Sequence, residues 1–292
     1  MIEPAIVFVR LLQYLGATVL FGSSLFFVYA APPIWPRRLL AAAAALLAMS
    51  SLLAIAAQAS LFAGSLAAGL TGEALGAVVS SMDFGKAAAV RAGAAGLALV
   101  LLASPDFSSV RAAVIGLAAV ATASLAWLGH GAAAESAWQL AADIVHALAA
   151  AIWLGALAAF VVLLRRDTGL AMVHAALRRF SRVGIPLVAV LVLTGLANSW
   201  FLVGPDKARA LAITPYGQVL LAKLALFAGM LVLAARNRNR HAPAIEADLV
   251  ASSPNPASFA PLRRSIATEA ALGFGVLLAV AWLGTLAPPA TG

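Results

Sequence analysis

Residues 138–164 read WQLAADIVHALAAAIWLGALAAFVVLL, and this stretch decides the fold. From Ala147 to Leu164 no side chain carries a charge, no proline interrupts, and Gly155 is the lone glycine. An α-helix rises about 1.5 Å per residue, so about 20 mostly apolar residues cross the hydrocarbon core of a bilayer. The stretch reads as a membrane-spanning helix that carries Asp143 and His146 in its first turns. Working outward, seven more segments meet the same test: 5–31, 39–62, 86–104, 110–130, 183–203, 216–235 and 265–286. Pro32-Pro33, Pro105 and Pro205 fall in the gaps, where a fixed φ and a missing amide donor end a helix at little cost. Pro186 is expected in the first turn of the sixth helix. The fold class is therefore all-α, a polytopic membrane protein with eight transmembrane helices.

Composition excludes most other classes. The chain is 63% hydrophobic and 10% charged, with a mean hydropathy of +1.00. A soluble domain is about 45–50% apolar and about 25% charged. Cysteine is absent, which removes disulfides, thiolate metal sites, iron–sulfur clusters and cysteine nucleophiles together. The net charge of +8 is explained by arginine-rich loops rather than by nucleic acid, because no basic stripe interleaves with aromatics. No Walker loop, nucleophile elbow or HExxH motif occurs, so the chain is not read as an enzyme or as an ATP-driven pump. The first apolar run is too long for a signal peptide, its head carries Glu3, and Arg10 interrupts it; it reads as an uncleaved first helix.

Loop charges orient the bundle. Arg37 and Arg38 lie between helices 1 and 2. Arg165, Arg166, Arg178, Arg179 and Arg182 face only Asp167 between helices 5 and 6, and Arg236, Arg238, Arg240, Arg263 and Arg264 face Glu246 and Asp248 between helices 7 and 8. The opposite loops are nearly neutral or acidic. The positive-inside rule then predicts a bacterial inner-membrane protein with both termini periplasmic.

The two halves share motifs in the same order. Tyr14-Leu15-Gly16-Ala17 matches Trp153-Leu154-Gly155-Ala156, Phe84-Gly85 with Arg91 matches Tyr216-Gly217 with Lys223, and Ala126-Trp127-Leu128-Gly129 matches Ala281-Trp282-Leu283-Gly284. This order predicts two parallel four-helix repeats, 1–130 and 131–292, related by an axis along the membrane normal.

Ionisable groups in hydrocarbon are costly and normally face a bundle interior or a wet cavity. Arg10, Gln58, Arg91, His130, Asp143, His146, Asn198 and Lys223 all map to the outer half; Glu269 alone enters from the cytoplasmic side. Asp143 and His146 are three apart and share a helix face, with His130 across a short loop. Two imidazoles and a carboxylate can ligate copper(II) or zinc(II), with Asp143 either a ligand or the group that fixes the His146 tautomer. The competing reading is a structural hydrogen-bond network between helices 4 and 5. Arg91 and Lys223 repel cations, pair with Asp143, or snorkel to the interface, the default for such residues. Glu269 is either a proton or metal relay or the partner of a cytoplasmic arginine. His174 and His241, in arginine-rich loops, are expected to be solvated. Five methionines without a Met-x-x-Met repeat give no thioether ladder for copper(I).

Several stretches together resemble the copper resistance D (CopD) family: Asp143-Ile144-Val145-His146 running into Ile152-Trp153-Leu154-Gly155, Arg179-Phe180-Ser181, and Thr214-Pro215-Tyr216-Gly217 with Lys223. Arg236-Asn237-Arg238 followed by Pro243 continues the match, as do Leu262-Arg263-Arg264-Ser265 with Glu269 and the terminal Pro288-Pro289. The N-terminal half matches in helix count and in His130. The resemblance implies an eight-helix inner-membrane protein that handles copper, commonly beside a periplasmic copper-binding protein of the CopC type, and moves the ion inward. The expected function is a copper permease with an outward-facing site at His130, Asp143 and His146. Its rivals are a b-type cytochrome with His130 and His146 as axial haem ligands, and a non-transporting membrane partner that docks a periplasmic copper chaperone.

Overall fold

The computed structural model describes residues 2–32, 34–105, 107–128, 136–165, 169–204, 207, 209–250 and 259–291, and among these no strand occurs. Among the described residues eight helices are long and apolar enough to cross a membrane: α1 Pro4–Tyr29, α2 Arg37–Ala63, α3 Asp83–Ala103, α4 Ser108–Leu128, α5 Ala137–Arg165, α6 Ala171–Leu202, α7 Pro215–Leu249 and α8 Ala260–Leu283. The protein is thus an all-α, multi-pass membrane protein, the only helical solution that satisfies every backbone amide in lipid. Successive helices reverse direction. One face of the bundle therefore holds the start of α1 and the end of α8 (the terminal face), and the other holds the arginine-rich connections.

Local chemistry sets the helix ends. Thr214 caps α7 by accepting from the Gly217 amide at 3.1 Å, with Pro215 at the first helical position, where its missing N–H costs nothing. Gly64 ends α2 in the left-handed region at φ 74°, which suits a residue without Cβ. At the arginine-rich face Arg37 donates to the carbonyls of Leu102 and Ser104, which the end of α3 leaves without amide partners. Arg111 lies 5.0 Å from the Trp35 ring, and Arg179 donates to the Ala30 carbonyl at 3.1 Å. Loop arginines therefore brace the chain as well as orienting it.

Two helices differ from their sequence-based bounds, for one reason. α6 begins a dozen residues before Val183, so Pro186 lies in its interior rather than in its first turn. Its early part places Val173, Ala176, Leu177 and Phe180 in the core while Arg178, Arg179 and Arg182 are exposed. α7 likewise runs through Arg236–Arg240, with a π-helical segment over Asn237–His241, and then buries Ala242 and Ile245. Both extensions are amphipathic, so a hydropathy window averages their apolar stripe with their arginines and reads them as loop. The stripe also buries His174, at 8% exposure, which corrects its expected solvation; its Nε2 lies 3.8 Å from a Glu246 oxygen.

Two cores meet at α1. The first, among α2, α3 and α4, is built largely from alanines such as Ala44, Ala95, Ala98 and Ala121, which let backbones approach closely. The second is aromatic: Phe26, Phe160 and Phe180 pack edge to face, with the Phe26–Phe160 centroids 4.7 Å apart, and Trp153 meets Phe180 at 6.4 Å. α1 gives Ala17, Leu20 and Phe21 to the first core and Phe26 and Phe27 to the second. It is π-helical over Thr18–Ser23, a segment that includes Leu20 and Phe21 and crosses α5. A Cβ on Gly22 would collide with the Ala151 carbonyl, and one on Gly155 would stand 2.5 Å from the Gly22 Cα. The Ser23 hydroxyl donates to the Gly155 carbonyl at 2.8 Å.

Gly155→Ala should therefore destabilise the folded protein by about 1–3 kcal/mol, the usual cost of overpacking a tight contact. Gly116→Ala, at a position with open space, should change stability by less than about 0.5 kcal/mol. Thermal unfolding of both variants in detergent checks this; equal midpoints would remove the crossing as a structural determinant.

Candidate functional site

α5 brings Asp143 and His146 into the bundle near the terminal face, three residues apart and both half-buried. His146 Nδ1 lies 2.9 Å from the Thr194 hydroxyl on α6. Thr194 spends its single proton on the Val190 carbonyl, 2.6 Å away, so toward the ring it can only accept. This contact suits a neutral imidazole with its proton on Nδ1, the tautomer whose Nε2 can bind a metal. Asp143 lies within electrostatic reach of Lys223 on α7 and of Tyr14 and Tyr216; Lys223 acts on His146 as well. Asn198, one turn beyond Thr194 on α6, has a buried Oδ1 with no hydrogen-bond partner among the described residues. The outer cluster thus draws on α1, α5, α6 and α7.

His130, the third expected ligand, lies outside the described residues. Among the described residues no three His, Cys, Asp or Glu side chains converge as a metal site. Thr194 had no sequence signal of its own, and Tyr14 and Tyr216 stood out only as members of repeated motifs. Only Thr194's spacing of four from Asn198 hinted at a shared polar face.

Arg91 does not snorkel. It is fully buried on α3, where Nε donates to the Ser124 hydroxyl at 3.0 Å, Nη2 to the Ser124 carbonyl at 2.8 Å and Nη1 to Gln13 Oε1 at 3.4 Å. Gln13, also fully buried, donates onward to the Ser50 carbonyl at 3.1 Å. The 3₁₀ turn Ser124–Leu128 at the end of α4 frees that serine carbonyl for the guanidinium. Arg91 accordingly ties α1, α3 and α4 together instead of lining an open path. Gln13 also borders a cavity of about 280 Å³ at the terminal face, with Arg10 and Gln58. Arg10 leans against Gly284, where a Cβ would strike its Nη1. Tyr14 is the common neighbour of Arg10, Arg91 and Asp143, so the polar groups of the two halves meet at α1.

Glu269 lies on α8 toward the arginine-rich face, 2% exposed. Its carboxylate accepts from Trp153 Nε1 at 3.1 Å and from Asn237 Nδ2 at 3.0 Å. The expected arginine pairing is not what holds it: the arginines nearby on α7 and α8 are exposed, and two neutral donors take their place. Asn237 opens the π-helical segment of α7, and the extra residue in that turn re-aims its side chain inward.

Comparison with known proteins gives two family matches. The family described as "Copper resistance protein D" matches residues 174–283, and "Copper resistance protein D-like, N-terminal domain" matches residues 1–140. The chain is 40% identical over 181 residues to "Copper resistance protein D" of Pseudomonas syringae pv. tomato, covering 58% of this chain and 56% of that protein. It is 37% identical over 114 residues to "Copper transport protein CutJ" of Bacillus subtilis (strain 168), covering 38% of this chain and 21% of that one. The chain thus spans about half the length of the first relative and a fifth of the second. No solved structure matches.

The Arg91 network makes its own prediction. Arg91→Ala leaves Gln13 Oε1 buried without a donor, at about 1–3 kcal/mol, and removes the donor bonds to the Ser124 hydroxyl and carbonyl. Arg91→Lys can restore one bond but not the fork. Unfolding midpoints in detergent should therefore rank wild type above Arg91→Lys above Arg91→Ala; equal stability of all three would show the network to be idle.

Proposed function

Because the chain belongs to the copper resistance protein D family, we propose that it is a membrane permease that takes copper at the terminal face and passes it inward through the bundle. The observation that carries this reading is the placement of His146 and Asp143 together inside the bundle. His146 Nδ1 is 2.9 Å from the Thr194 hydroxyl, and Asp143 stands one turn before it on the same face of α5. An unprotonated imidazole next to a carboxylate is a ligand pair that suits a copper ion. His130 is the third ligand of this reading, on the strength of the sequence alone, and Asn198, one turn beyond Thr194 on α6, offers a buried Oδ1 with no hydrogen-bond partner among the described residues. Lys223 lies within electrostatic reach of Asp143, and its charge opposes a cation at the site. The remaining polar groups, Arg10 and Arg91, hold α1 in place between the halves.

Orientation follows from the arginines. With the arginine-rich face cytoplasmic, the terminal face and both termini are periplasmic in an inner membrane, where a CopC-type copper-binding protein can deliver the ion. The halves 1–130 and 131–292 act as parallel repeats about α1 and α5, with Arg91 corresponding to Lys223. The Bacillus subtilis relative is a copper transport protein by name, which supports a transport role.

Copper bound per purified protein tests the site. His146→Ala should lower occupancy at least about tenfold, and His130→Ala should lower it too. Lys223→Ala should leave affinity unchanged or raise it. Ligating imidazole must be neutral, so protons compete with copper and binding should weaken as pH falls. Full copper content in both histidine variants would move the site elsewhere.

Reporter fusions test the orientation. Alkaline phosphatase should be active after Gly292, and a fluorescent protein should mature when inserted near Pro254; the reverse pattern would invert the bundle and the proposed direction of transport.

A further inference from the structure

Glu269 is not matched as a buried carboxylate normally is. Leaving water costs an ionised carboxylate several kcal/mol, and proteins offset this with a cation or a full set of hydrogen bonds. Here two neutral groups donate, one to each oxygen. Charged and titratable residues are plentiful on the elements around it: Arg165 on α5, Arg178, Arg179 and Arg182 on α6, Arg236, Arg238, Arg240 and His241 on α7, Arg263 and Arg264 on α8, and Tyr29 at the end of α1. Every one of these arginines is exposed, His241 and Tyr29 are partly so, the buried His174 on α6 has its Nε2 3.8 Å from a Glu246 oxygen, and none pairs with Glu269 among the described residues. The fold carries arginines past this carboxyl without turning one inward.

Two further buried polar atoms accompany it. Asn237 Oδ1 and Ser265 Oγ have no hydrogen-bond partner among the described residues. Asn237 already donates to Glu269 through its amide nitrogen, so its oxygen points away from the carboxyl. Ser265 stands one helical turn before Glu269 on α8, on the same face and nearer the arginine-rich end. A carboxyl next to unpaired acceptors, leading from the interior toward water, is the arrangement a proton needs. It is a poor copper site, since it offers only hard oxygens and no imidazole, thiolate or thioether.

We propose that Glu269 is a proton-exchange site: its carboxyl holds a proton when the bundle is free of copper, and releases it by way of Ser265 and Asn237 to the arginine-rich face when copper occupies the bundle. The step breaks one O–H bond. The electron pair stays on the carboxylate, the proton passes to water, and nothing is oxidised or reduced. The incoming cation thus replaces a proton, which limits the net charge held in the membrane. This deepens the permease reading and rests on it for the identity of the cation.

Difference infrared spectroscopy on the purified full chain tests it. The copper-free wild type should show a protonated-carboxyl band that titrates within roughly pH 5 to 9. The band should be absent in Glu269→Gln, displaced in Glu269→Asp, and lost when a copper salt is added at constant pH. His146→Ala should keep the band but lose the response to copper. A wild type that binds copper with the band unchanged, or that has no such band at any pH, overturns the proposal and leaves the permease reading standing. A wild type whose measured copper content is nil fails the permease reading instead, and an unresponsive band then removes the coupling as well. The Glu269→Asp displacement assigns the band even if Glu269→Gln does not fold.

Discussion

The crossing of α1 and α5 is the contact on which the rest of the bundle depends. Helices in lipid gain no hydrophobic free energy from touching one another, so their association rests on close packing and on interhelical hydrogen bonds. At Gly22 and Gly155 both are present: the backbones approach until no Cβ fits, and the Ser23 hydroxyl bonds to the Gly155 carbonyl. The π-helical turn in α1 adds the residue that brings Gly22 and Ser23 to α5 together. Without it, the alanine core of the first half and the aromatic core of the second would have no common wall.

The same economy governs the charges. Three buried ionisable groups are accommodated in three ways. Arg91 is satisfied by neutral oxygens from two helices and becomes a fastener. Asp143 has Lys223 within electrostatic reach, so charge balances charge where the bundle opens. Glu269 receives only two neutral donors. A group that is fully satisfied has little reason to move. The half-satisfied ones, His146 Nε2, Asn198 Oδ1 and the Glu269 cluster, are where a ligand or a proton finds a partner.

Much of this was legible in the residues. The eight spans follow from hydropathy, since bilayer thickness sets a length that local sequence must meet. Asp143 and His146 stood out because a charge in hydrocarbon is rare, and their spacing put them on one face. The extensions of α6 and α7 were not legible. Their arginines lower the average that hydropathy reads, while Phe180 and Ile245 bury on the other side of the same helix. Thr194, which meets His146, gave no signal, since a threonine in an apolar helix commonly bonds its own backbone. Asn237 was hidden within an arginine run that reads as loop.

The sequence by itself determined that this chain is an eight-helix membrane protein, and its motifs pointed to a copper-handling family. Composition and helix length are local properties, and a bilayer is a solvent simple enough for them to suffice. The tertiary structure decided the partners: that Arg91 faces Ser124 and Gln13, that His146 meets Thr194, and that Glu269 meets Trp153 and Asn237 instead of an arginine. Each joins residues on different helices, and the rotation of one helix against its neighbour is set by packing, above all where Gly22 meets Gly155. No run of residues along one chain encodes that angle.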